Sequence, residues 1–169
     1  MPQSFGPENA TLTVRTGRTG AASKAGHDLL IEVTSWSATL DPEADPALTL
    51  TADSRSLRVL EGTGGVQALD DDDKAGIRHT IDDEVLEGTP IEFRSTRFEP
   101  GDPIRVEGEL ELRGERRPIA FELVPGADGG LVGTAIVRQT DWGMKPYSAL
   151  FGTLKVADEV EVAVDTRGA

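Results

Sequence analysis

No cysteine occurs in the 169 residues, so neither a disulfide framework nor a thiolate metal site can be built. No apolar run exceeds a few residues, against the ~20 that a membrane-spanning helix needs. Positive charge is scarce. Seventeen basic residues, 13 Arg and 4 Lys, face 30 acidic ones, for a net charge of −13. Nonspecific nucleic-acid binding requires a positive field to displace counterions, and this field has the opposite sign. Anionic membrane surfaces are disfavoured on the same ground. The stretch Met1 to Asn9 has neither the basic start nor the apolar core of a secretory signal, so the expectation is a mature cytoplasmic chain.

Signatures of catalysis are missing too. There is no GxSxG or SxxK nucleophile motif and no HxH or HExxH metal spacing. Gly62-Thr63-Gly64-Gly65 lacks the lysine of a phosphate loop. His27 and His79 are the only histidines. In an extended strand His27 and its neighbour Asp28 point to opposite faces, so they form no dyad. The run Asp70 to Asp73 departs from a calcium loop, since the fifth position is Ala75 and the twelfth is Asp82. It reads instead as a capped, solvated helix start.

What is present is alternation. Apolar content is 37%, enough for a packed core in one domain over 1–169 with its core at about 10–166. Ile104, Val106, Leu110 and Leu112 share one face of a half-buried strand, with charges on the other. Ile119, Phe121 and Leu123 repeat the pattern after a turn at Gly114-Glu115-Arg116, and so do Val160, Val162 and Val164. Weaker strands fall at Leu12 to Val14, Leu48 to Ala52, Ile91 to Phe98 and Leu131 to Val137. From Leu29 to Leu40 the phase slips by one residue near Thr34-Ser35, which predicts a bulge bending the strand around a corner. Spacings of roughly ten residues with short polar turns predict an all-β sandwich or barrel.

One segment is helical. Ile77, Ile81 and Val85 recur every four residues, and the acidic trio Asp71 to Asp73 suits a helix N-terminus. A second trio at 82–84, with Thr80 and Asp83 in capping-box spacing, predicts two short helices broken near Thr80 within an insert at about 70–87.

A closed barrel of about eight antiparallel strands holds either a packed interior or one small ligand. The inward positions Val14, Ile31, Val33, Leu50, Phe93, Val106, Leu110, Phe121, Leu123 and Val162 would line an apolar pocket. The aromatic loop from Trp142 to Gly152 either caps the core or borders an entrance, with Trp142 and Tyr147 nearest the ligand and Trp36 the distant indole.

Four segments together resemble the YceI-like family of bacterial lipid- and polyisoprenoid-binding proteins. They are Arg78 to Thr96 with its Ile91-Glu92-Phe93-Arg94-Ser95-Thr96 strand, Val106 to Gly114 with Arg117-Pro118-Ile119, Arg138 to Gly143, and Val156 to Val162. The resemblance implies an extended, lipocalin-like antiparallel β-barrel with a helical insert. It also implies noncatalytic binding, carriage or sequestration of a polyisoprenoid, isoprenoid quinone or fatty acyl chain, without a cofactor or metal. The implied partner is that long-chain ligand, not nucleic acid, and a homodimer is compatible with the pattern. Many relatives are exported, unlike the expectation for this chain. Two other functions stay open on the residues alone: an enzyme of isoprenoid or stress metabolism using His27 or His79, and a structural or interaction module with a filled barrel.

Overall fold

The computed structural model describes residues 2–19, 28–63, 70–81, 86–126, 128–144, 148–149 and 154–167. Twelve strands form one antiparallel sheet: β1 (Gln3–Phe5), β2 (Ala10–Thr19), β3 (Asp28–Val33), β4 (Trp36–Leu40), β5 (Leu48–Ala52), β6 (Leu57–Thr63), β7 (Ile91–Glu99), β8 (Ile104–Leu112), β9 (Glu115–Pro125), β10 (Leu131–Arg138), β11 (Ser148–Ala149) and β12 (Leu154–Thr166). Among the described residues between β6 and β7 there is one helix, α1 (Asp71–Thr80). The order across the sheet is β1-β4-β5-β7-β8-β9-β10-β12-β2-β3-β6, with β11 added to β12. Because β3 runs on into β4, and β5 into β6, the strand pairs near both ends of this path (β4-β5 and β3-β6) belong to the same long hairpin. The sheet therefore curls back on itself around the core.

The all-β, lipocalin-like class is the one expected, but the described residues form twelve strands, not about eight. Two long strands are interrupted, and the short β1 and β11 are added. The interruptions sit opposite each other, at 34–35 and 53–56. There the Thr34 amide and hydroxyl both donate to the Ser56 carbonyl, at 2.9 and 2.7 Å, and the Asp53 amide donates to Ser35 O at 3.0 Å. The corner expected at Thr34-Ser35 is thus a break in the ladder, stapled across to the neighbouring strand. Val33 and Trp36, on either side of it, are both buried. The Leu57–Thr63 strand is not among those expected from the sequence pattern.

Alternation decides which faces meet. Along β8, Val106, Gly108, Leu110 and Leu112 are buried while Glu107 and Glu109 are exposed. Gly108 is glycine for a steric reason: a Cβ there would meet the Arg94 carbonyl and lie 2.6 Å from Phe93 Cζ. The β8–β9 turn lies at Arg113-Gly114, one residue earlier than expected. Both carry positive φ, 51° and 78°, and Leu112 pairs with Glu115. A two-residue type I′ loop demands that geometry, and Gly114 meets half of it freely.

Helix α1 is opened by Asp70, whose side chain accepts the Asp73 amide at 2.7 Å while Asp73 accepts the Asp70 amide at 3.2 Å. This reciprocal cap satisfies two backbone donors that the first turn leaves without helical partners. Thr80 does not open a new helix here. Its hydroxyl bonds back to Gly76 O at 3.1 Å, and Ile81 continues in helical geometry. The second expected helix lies outside the described residues. The helix packs on β6, the strand that ends the sheet path. Lys74 Nζ donates to Leu60 O and Arg78 to Arg55 O, each at 3.2 Å. Asp70→Ala is expected to cost about 0.5–2 kcal/mol of helix stability. Hydrogen exchange in α1 should report this as faster opening confined to the helix. No helix among the described residues is long and apolar enough to cross a membrane.

Candidate functional site

The inner faces of the curled sheet enclose a cavity of about 730 Å³. That is within the size range of small-molecule sites. Its walls are Leu, Ile, Val and Phe side chains contributed by most of the long strands. Helix α1 forms one side with a single face. Asp72, Gly76 and Thr80 are one row at spacing four, and Asp73, Ile77 and Ile81 are the adjacent row. Of the expected stripe, Ile77 and Ile81 pack against the core, while Val85 lies outside the described residues. Asp70 to Asp73 are exposed.

Nine of the twelve expected binding residues line the cavity: Val14, Ile31, Val33, Leu50, Phe93, Leu110, Phe121, Leu123 and Val162. Phe93 and Phe121 meet there as a tilted pair, with ring centroids 5.4 Å apart at 56°. Val106 is inward-facing but does not reach the cavity. It is 1% exposed and stands between Phe98 and Phe121 across the ladder, in a part of the interior that side chains fill. Tyr147 lies outside the described residues, as does His27. His79 is exposed on α1 and is not part of the cavity wall. Among the described residues no group of His, Asp and Glu has the arrangement to hold a metal ion.

The indoles exchange the places expected of them. Trp142 is 3% exposed and absent from the cavity wall; its Nε1 donates to Leu110 O at 2.7 Å. It is a buried packing group, not a rim group. Trp36 lines the cavity. It is 7% exposed, and its Nε1 is without a hydrogen-bond partner among the described residues. A buried donor left in that condition costs about 1–3 kcal/mol. The phase slip at 34–35 already put Trp36 on the inward face with Ala38 and Leu40, so the signal for its role was in the sequence.

Two of the segments behind the family resemblance dock on each other. The backbone between Arg138 and Trp142 makes a single 3₁₀ turn, closed by Gly143 at φ 68°. Arg138 pairs with Glu159 at 3.0 Å, and Gln139 Nε2 donates to Ala157 O at 3.1 Å. Thr140 donates to Asp158 twice, from its amide at 2.9 Å and its hydroxyl at 2.6 Å. The Arg138 guanidinium is held above its ordinary pKa, first by the hydrogen bond to Glu159 and then by the charges of Glu159, Asp141 and Asp158. This turn carries Trp142 into the core. Removing both Thr140 bonds with Asp158→Ala should lower stability by about 1–2 kcal/mol, measured by urea unfolding.

A family model for the YceI-like domain matches residues 33–167. The chain belongs to the YceI-like family. This YceI-like chain also resembles solved structures in fold. Burkholderia cenocepacia BcnA is 14% identical with a TM-score of 0.67, the alignment covering 95% of this chain and 96% of that one. A Campylobacter jejuni YceI protein that crystallizes with large solvent channels is 14% identical with a TM-score of 0.54, covering 82% of each chain. No curated protein matches the chain. The resemblance to the YceI-like family drawn from the four segments is borne out by the family match.

Proposed function

We propose that this YceI-like chain binds a long apolar molecule inside its curled sheet and carries or sequesters it without catalysis. The ligand classes that fit are a polyisoprenoid, an isoprenoid quinone or a fatty acyl chain. The observation that carries this reading is the cavity of about 730 Å³ with walls of aliphatic and phenyl groups. Such walls gain about 25 cal/mol for each Å² of apolar surface withdrawn from water, and offer little to a polar solute. Of the two histidines, exposed His79 is not on the cavity wall.

The test is extraction of the purified protein into organic solvent, followed by mass spectrometry. A long-chain molecule recovered at near-stoichiometric level is the expected result. Repeated recovery of none, together with failure of added chains to bind, would overturn the proposal.

A further inference from the structure

Polar atoms are few on the cavity wall, so one left without a partner shows what an occupant must supply. Strand β10 turns Leu131, Gly133, Ala135 and Val137 toward the cavity at alternate positions. Gln139, the first residue of the 3₁₀ turn, continues that row and also lines the cavity. It is 6% exposed, whereas Arg138 and Thr140 on either side of it are exposed. Its amide has a fixed orientation. The Ala157 carbonyl accepts a hydrogen bond at 3.1 Å, and only Nε2 can donate it. Oε1 is then a pure acceptor, and it has no hydrogen-bond partner among the described residues. The unpartnered side-chain atoms that are fully enclosed are Trp36 Nε1 and Ser54 Oγ. Gln139 Oε1 keeps accessible surface, and the space beside this residue is the cavity. The other buried and half-buried polar side chains of the described wall are engaged. Thr16 accepts the Leu29 amide at 3.2 Å, Thr166 accepts the Leu131 amide at 2.8 Å, and Thr80 donates to Gly76 O.

Resting on the binding function proposed above, we infer that Gln139 selects the polar end of the ligand, and that the cavity prefers long chains ending in a hydroxyl over chains whose end only accepts hydrogen bonds, such as a quinone, an ester or a carboxylate. A hydroxyl beside Oε1 donates to it and leaves nothing else to satisfy, because its oxygen is a weak enough demand to go unpaired. A primary amide or an ammonium brings two or three donors to a wall with a single open acceptor. An acceptor-only end leaves Oε1 unpaired and sets lone pairs against lone pairs. Little water competes within apolar walls, so the difference between a made and an unmade bond is felt in full.

The experiment is displacement of N-phenyl-1-naphthylamine, a neutral fluorescent probe, from the full chain by dodecanol and by undecyl methyl ether. The two are isomers of equal length, but the alcohol oxygen donates and accepts while the ether oxygen only accepts. Transfer of each from water into hexadecane, which accepts no hydrogen bond, sets the reference ratio. The full chain is expected to favour the alcohol over the ether about tenfold more than hexadecane does. Gln139→Leu should return the ratio to near the hexadecane value. Its lost bond to Ala157 weakens both ligands alike and cancels in the ratio. Thr16→Val removes a donor that either oxygen could use and should leave the ratio nearly unchanged. A ratio equal to that of hexadecane in the unaltered chain would overturn the selectivity while leaving chain binding intact, and that measurement needs no variant to fold. The same ratio in the unaltered chain and in Gln139→Leu would overturn the assignment to Gln139. If neither isomer displaces the probe, the binding function itself fails, and the selectivity with it.

Discussion

Trp142→Ala is expected to lower the unfolding free energy by about 3–5 kcal/mol, the range for deleting a large buried aromatic side chain. The indole is 3% exposed, and its N–H is bonded to the Leu110 carbonyl at 2.7 Å. The substitution therefore leaves a void and a buried acceptor without its donor at the same time. For a domain of this length the loss corresponds to a fall in melting temperature of roughly 10–15 °C. Trp142→Phe separates the two contributions. It keeps most of the apolar volume and should cost about 1–3 kcal/mol, chiefly the carbonyl's lost partner. Affinity for a long-chain ligand should survive in Trp142→Phe, because the indole does not line the cavity. That variant also leaves Trp36 as the single tryptophan. Its emission should shift as ligand saturates the protein, and an unmoved spectrum would argue against an occupant beside it.

The second large effect concerns binding without stability. Val14 and Val162 are direct cross-strand partners on β2 and β12, and both face the cavity. Replacing both by Phe adds bulk to one belt of the interior. The new rings enter open volume instead of close-packed core, so the strain of overpacking should be small, and stability should change by less than about 1 kcal/mol. Affinity for a long chain should fall at least tenfold. Denaturant unfolding and probe displacement on the same preparations decide it. Unchanged affinity in a folded double variant would show that chains bind elsewhere.

How far the sequence reaches is clearest at β8 and β3. The alternation of Val106, Leu110 and Leu112 with charges placed β8 and its buried face correctly, because a strand's period of two follows from backbone geometry alone. The phase slip at Thr34-Ser35 located the corner. The acidic run at Asp70 to Asp73 marked the start of α1, because local carboxylates suit the unsatisfied amides of a first turn. These features depend on neighbours a few residues apart. So did the four segments that point to the YceI-like family, since their order along the chain is itself a sequence property.

Depth inside the molecule is a different matter. Val106 and Val162 share the same pattern, yet Val106 is enclosed between Phe98 and Phe121, while Val162 borders open space. Which inward residue meets a cavity depends on strands distant in sequence that close over it. The same applies to Trp142, which a 3₁₀ turn held by Asp158 and Glu159 carries beneath the surface, away from any entrance. The place of Asp72 and Asp73 was equally hidden. Asp72 and Asp73 look like ordinary solvated cap residues until α1 packs on β6 and turns their face of the helix toward the cavity. Sequence alone determined most of the long strands, their faces, the corner and the family. Tertiary structure decided which of those faces enclose a space and which charges stand at its edge, because enclosure is set by contacts between segments that no local period encodes.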